Sequence, residues 1–271
     1  HVVGPDATAE ERAAIDGLKS SGWLTQAESL VKKYYGPEGD NTALKIDLDY
    51  SDGPSSILAR VWGPGNLTMQ LDMAAFTADH RSYAAPGQAF RYSSGDTNLL
   101  SAALKAIVGA QRYADYPWTA LFEPLGIRQA IWETDAAGTF VASSYAYLTA
   151  RDLARIGLLM ARDGRWGDKQ LLPKDWVAFN REPFAGYRAN QDDAVPGGHW
   201  WLNRAVGGGA RPWPDAPADT FAGLGHWGQA LYMIPGENLV IVRYGDDRDG
   251  LYQHNELLKL ALKAFAGTVK P

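Results

Sequence analysis

An α+β fold is what this sequence predicts: a helical region beside an antiparallel sheet, with a C-terminal helix covering one sheet face. Three observations lead there. The middle of the chain carries a series of helix-period segments. Two apolar runs, Ala230 to Ile234 and Leu239 to Tyr244, are joined by Pro235-Gly236-Glu237-Asn238, which is a β-hairpin signal. A last amphipathic stretch, 252–266 (YQHNELLKLALKAFA), follows them.

Taken in order, residues 1–45 read as a polar, mostly helical segment. Thr8-Ala9-Glu10-Glu11 and Thr25-Gln26-Ala27-Glu28 are capping-box sequences, and each predicts a short helix, over about 9–19 and 26–35. Gly36 to Asn41 is a loop, and Leu44 to Tyr50 alternates as a short strand would. Residues 46–222 form the helical region, with helices predicted at 55–62, 68–78, 97–108, 150–163 and 174–180. The segment 150–163 is the clearest. Leu153, Ile156, Leu159 and Met160 share one face, Thr149 can cap the start and Gly164 follows the end. Residues 183–220 are rich in Pro, Gly and Trp and predict an irregular surface excursion. Residues 223–271 hold the hairpin and final helix.

Composition narrows the function classes. The 271 residues are 46% hydrophobic and 21% charged, enough apolar content to bury a sizeable core. A net charge of −5 lacks the basic footprint of a general nucleic-acid binder. Zero cysteines exclude disulfides, thiolate nucleophiles and cysteine-ligated metals. No apolar run approaches the roughly 20 residues of a membrane helix. The compartment stays open, periplasmic, secreted or cytoplasmic. No P-loop, GxGxxG or HExxH occurs, and the histidines at 1, 80, 199, 226 and 254 are scattered. No cofactor and no metal are therefore expected. Asp246-Asp247-Arg248-Asp249-Gly250 lacks the rest of a calcium loop and reads as a solvated turn.

Two segments carry chemistry. In 86–100 (PGQAFRYSSGDTNLL), Tyr92, Ser93 and Ser94 stand before a helix expected to start near Thr97. They are either a polar reactive cluster or a capped helix start with a structural tyrosine. In 223–245, His226-Trp227-Gly228-Gln229 immediately precedes the hairpin. Glycine at 228 lets another chain approach the backbone, and the next amide can donate to it. A buried His and Trp at a strand start is the other reading.

Together these segments resemble the serine β-lactamase-like family: class C β-lactamases, related esterases and D,D-peptidases, and 6-aminohexanoate-dimer hydrolases. Tyr-Ser-Ser-Gly-x-Thr-Asn resembles that family's Tyr-x-Asn element, with Ser94 where many relatives carry asparagine. Leu121 to Ile127 (LFEPLGI), 138–145 (GTFVASSY) and 149–157 (TARDLARIG) resemble family stretches in the same order, as do 163–166 (DGRW) and 172–177 (LPKDWV). His226-Trp227-Gly228 stands where the family has Lys-Thr-Gly or His-x-Gly. The likeness covers roughly 47–265.

The resemblance implies a serine hydrolase that cleaves an amide or ester through an acyl-enzyme, with a small-molecule or peptide-like substrate. Its nucleophile belongs to a Ser-x-x-Lys motif. Tyr92 would match the proton-shuttling tyrosine, His226 a neighbouring group that tunes it, and the Gln229 amide one half of an oxyanion hole. Ser94, Trp227 and Gly228 would line the substrate. The one Ser-x-x-Lys in the sequence is Ser29-Leu30-Val31-Lys32, and Ser29 lies 63 residues before Tyr92. Ser29 and Lys32 can share a helix face. However, Lys33-Tyr34-Tyr35-Gly36-Pro37 ends that helix at once, so a chance match on a solvated helix competes with a nucleophile. The family's N-terminal strands and long nucleophile helix are expected to be missing or rewritten. Two alternatives stay open: an inactive relative that binds a ligand, or a piece that needs a complementing chain or a homo-oligomer.

Overall fold

The computed structural model describes residues 72–78, 82, 84–187 and 194–266. The helices expected at 9–19, 26–35 and 55–62, the strand at 44–50, and the Ser29–Lys32 pair lie outside the described residues. The chain divides into two compact units, His1–Tyr147 and Leu148–Pro271.

The first unit contains helix α1 (Met73–Ala78), helix α2 (Ser94–Val108) and the short α3 (Ala110–Tyr113). A wide turn at Trp118–Phe122 follows, then strands β1 (Ile131–Trp132) and β2 (Ala146–Tyr147), paired antiparallel. Helix α2 begins three residues before the expected start, because Ser93 is its cap. Ser93 Oγ accepts from the Asp96 amide at 3.1 Å, which satisfies one of the open N–H groups of the first turn. Around the end of α2, Val108, Tyr113 and Phe140 form a small core, flanked by Trp118 and Trp132. The one polar group of that core is satisfied: Tyr113 Oη lies 2.6 Å from Ser101 Oγ and accepts from the Phe140 amide at 3.1 Å.

The second unit is built on one sheet. Helix α4 (Ala150–Ala161) leads to the β3 (Arg165–Trp166) and β4 (Lys169–Gln170) ladder and helix α5 (Lys174–Asn180). Then come β5 (Val195–Pro196), β6 (Trp201–Leu202), β7 (Phe221–Leu224), β8 (Ala230–Ile234), β9 (Leu239–Arg243) and helix α6 (His254–Ala266). The sheet order is β5-β6-β7-β8-β9, antiparallel throughout.

The expected hairpin is β8–β9, with Ile234 opposite Leu239 and Asn238 in the left-handed turn position at φ 46°. Three more strands join it than the sequence announced. Two of them, β5 and β6, have two residues each and lie within the stretch read as irregular. Pro196 stands in the first strand of this order, a place where a missing N–H is tolerated.

β8 explains the layering. Its residues are all buried, and they alternate between two cores. Leu231 and Met233 meet Met160, Ala161, Val177, Leu202 and Phe221, with Leu153 of α4 packed alongside. Ala230, Tyr232 and Ile234 meet Trp213, Ala216, Leu239 and Leu258 of α6. The sheet is thus covered on one face by α4 and α5, and on the other by α6 and the 203–220 excursion. That excursion is fixed by Asn203, which is fully buried. Its amide donates to the carbonyls of Trp213, Ala216 and Pro217 at 2.9, 3.2 and 2.9 Å, and its Oδ1 accepts from the Trp213 amide at 2.9 Å. Among the described residues no helix is long and apolar enough to cross a membrane.

Candidate active site

Tyr92 stands two residues before α2, in non-helical backbone, with an exposed side chain. Ser93 is the helix cap, and Ser94 is the first helical residue and is buried. The three residues therefore sit together at the mouth of one helix. Local chemistry places them: the Ser93 cap needs an extended backbone, and it has φ −146° and ψ 118°.

His226, Trp227, Gly228 and Gln229 are also brought together, in the turn from β7 to β8. His226–Gly228 is a single 3₁₀-like turn, with Trp227 at φ 53°, ψ 42° and Gly228 at φ 78°. Two successive left-handed residues are uncommon. For a bulky residue such as tryptophan the strain is of order 1–3 kcal/mol, so its surroundings must enforce it.

Backbone and side-chain bonds close the turn from several sides. The Gly225 amide donates to Gln229 O at 2.7 Å, and the Asp247 amide donates to Trp227 O at 3.0 Å. The Gln229 carboxamide folds onto Gly245, donating from Nε2 to its carbonyl and accepting from its amide at 3.3 Å. The Gln229 side chain is thus spent on structure, whereas its backbone N–H is only weakly engaged. That N–H makes one long bond, 3.4 Å to His226 O, which is weak by length.

Side chains around the turn are aromatic and cationic. The exposed His226 ring lies 4.3 Å from the Trp227 ring, centroid to centroid. The Arg248 guanidinium lies 4.2 Å from the centre of the exposed Trp227 ring. The indole thus has both an imidazole and a guanidinium against it.

Behind the turn a hydroxyl network supports β8. Tyr232 Oη bonds Tyr252 Oη at 2.7 Å and also bonds His254 Nδ1. Burial first, and then the bond to Tyr252, push the Tyr232 phenol far above the ordinary tyrosine range, so it stays neutral. Sequence reasoning passed over Arg243, Gly245, Asp247 and Tyr252, all of which touch this turn or its supports. The available signal was an arginine closing the apolar run LVIVR, two residues before a glycine. Among the described residues no group of three or more His, Cys, Asp or Glu is placed to hold a metal ion.

A family model described as Beta-lactamase matches residues 46–261. The 6-aminohexanoate-dimer hydrolase of Paenarthrobacter ureafaciens is 25% identical over 213 residues, covering 74% of this chain and 51% of that protein. The chain spans about half the length of that curated relative. A Bacillus anthracis structure assigned as a 6-aminohexanoate-dimer hydrolase matches with a TM-score of 0.53 at 22% identity, over 74% of this chain and 53% of the other. A β-lactamase structure from Mycobacterium bovis matches with a TM-score of 0.50 at 18% identity, over 74% and 75% of the two chains. The structural likenesses show a shared β-lactamase-like α+β fold. With the family model covering most of its length, residues 46–261, the chain belongs to the Beta-lactamase family.

Proposed function

We propose that this chain works as a serine hydrolase that cleaves an amide or ester by acyl transfer. The observation that carries the reading is the left-handed Trp227–Gly228 pair at the entrance to β8. It leaves one backbone N–H, that of Gln229, with a single long bond inside the turn, three residues from an exposed imidazole. A fixed N–H suits a developing oxyanion, because its dipole is oriented before charge appears and no reorganisation is needed.

In this reading Gln229 N–H stabilises the oxyanion, and His226 supports proton movement near it. Tyr92 is the proton-shuttling group that the family motif implies. Trp227 and Gly228 contact the substrate, and Ser94 is the further substrate-binding residue that the family motif implies. Ser29, paired with Lys32, is the nucleophile candidate carried by the sequence. The name of the Paenarthrobacter relative points to a short linear amide as the first substrate to try.

The test is covalent labelling of the intact protein with a fluorophosphonate and, separately, a penicillin, read by mass spectrometry. Turnover of p-nitrophenyl acetate and of the 6-aminohexanoate dimer is measured beside it. An adduct on a serine that disappears in the Tyr92→Phe variant supports the reading, and its position identifies the nucleophile. Absence of any adduct and of any turnover sinks it, and leaves ligand binding or complementation by another chain as the role.

A further inference from the structure

One side chain outside the His226–Gln229 turn bonds the peptide that carries the Gln229 amide. Arg243 closes β9 directly opposite Ala230. Its Nη1 donates to the Gly228 carbonyl at 2.7 Å. The guanidinium occupies a slot that only two glycines leave open. A Cβ on Gly228 would lie 2.7 Å from Arg243 Nη1, and one on Gly245 would lie 2.7 to 2.9 Å from three guanidinium atoms. The Tyr252 ring covers the group at 3.9 Å. Tyr252 is itself held by its backbone N–H, which donates to Asp247 Oδ1 at 2.9 Å, and the Asp247 N–H donates to Trp227 O at 3.0 Å. The carbonyls of Trp227 and Gly228 are therefore both gripped by the segment 243–252.

The Gly228 carbonyl and the Gln229 N–H belong to the same planar trans peptide, so they point in opposite directions. Whatever fixes the carbonyl aims the N–H. A cation on the carbonyl oxygen also draws electron density through the peptide, which makes the N–H a stronger donor. We propose that Arg243 is a positioning residue: by holding Gly228 O it sets the plane of the Gly228–Gln229 peptide and polarises the Gln229 N–H. Its role in acyl transfer rests on the oxyanion reading of that N–H, whereas its hold on the turn does not.

The experiment is NMR on the full chain, comparing wild type with Arg243→Met and Arg243→Lys. In wild type the Gln229 amide should have a rigid order parameter of about 0.85, and Arg243→Met should drop it below about 0.6. In the same variant the Gln229 amide proton should move upfield, and the His226 ring protons should lose their ring-current shift from Trp227. Met233 and Ile241, in the middle of the β8–β9 ladder, should keep their amide shifts and order parameters. Arg243→Lys should restore part of the Gln229 signal, since it returns the charge without the stacked plane. An unchanged Gln229 amide in Arg243→Met overturns the proposal. So does a loosening of Met233 and Ile241 equal to that of Gln229, which would make Arg243 a support of the sheet. If wild type hydrolyses p-nitrophenyl acetate, Arg243→Met should lower kcat about tenfold or more with little change in KM, the pattern of a contact made in the transition state. If wild type has no turnover, the oxyanion reading falls and the amide measurements alone decide the role of Arg243.

Discussion

Replacing Gly157 by alanine sets two known effects against each other. Gly157 lies within α4, where alanine is favoured over glycine by about 1 kcal/mol. Against this, a Cβ at 157 would stand 2.7 Å from Val240 Cγ1 and 2.9 Å from Leu231 Cδ1. Carbon atoms prefer about 3.5–4.0 Å, so each methyl must retreat by roughly 1 Å. Leu231 is buried among Met160, Phe221 and Met233 and has little room to do so. Overpacking of that kind costs about 1–3 kcal/mol. The crowding wins, and Gly157→Ala should destabilise by up to about 2 kcal/mol net, or up to roughly 8 °C in Tm for a unit of this size. Thermal unfolding followed by circular dichroism measures it. Repeating the substitution on a Val240→Ala background removes the closest methyl, and there Gly157→Ala should be neutral or stabilising. A higher Tm for Gly157→Ala alone, or an equal loss on both backgrounds, would refute the close approach of α4 to the β8–β9 pair.

Four further outcomes are expected. Asn203→Ala should cost about 2–4 kcal/mol in urea unfolding, because three carbonyls and one amide lose their buried partner at once. Tyr232→Phe should destabilise at pH 7 but close the gap to wild type as pH climbs past about 10. The reason is that the unfolded tyrosine ionises there while the folded one holds its proton, so wild-type stability falls with rising pH. A constant difference between pH 7 and pH 11 would contradict the buried phenol. If turnover is observed, Tyr92→Phe should lower kcat about 10²-fold, as loss of a proton-transfer group does, and a wild-type rate would remove Tyr92 from the mechanism. His226→Ala should reduce labelling by the fluorophosphonate while leaving Tm within about 1 °C, since the ring is exposed, and unfolding instead would make His226 structural.

Legibility in the sequence followed the length of each periodic signal. The hairpin β8–β9, α4, α5 and α6 were all readable, because each has five or more residues of one period or an explicit turn or cap. The two-residue strands β5 and β6 were not, since such strands show no alternation and exist only through their neighbours. The early start of α2 was hidden for a different reason: Ser93, Ser94 and Asp96 are all acceptable caps, and choosing among them needs the backbone dihedral. At the site, His226-Trp227-Gly228-Gln229 drew attention through its glycine. The left-handed conformation of Trp227 could not be inferred, because tryptophan is among the residues least expected there. Arg243 was invisible as a partner because its bond to Gly228 spans 15 residues and depends on the strand register.

The double burial of β8 has a consequence for how this chain can be varied. A strand whose successive side chains fill two different cores has no position that tolerates free substitution, so changes at 230–234 act on folding. A saturation library over 230–234 should yield few soluble clones, nearly all apolar and close to the original volumes. A library at Trp227, whose side chain reaches solvent, should keep folding largely intact while altering ligand preference if Trp227 contacts the substrate as proposed. Under the proposed acyl-transfer role, selection for a new substrate would find its solutions in the turn that enters the strand, with the strand serving as an invariant mount.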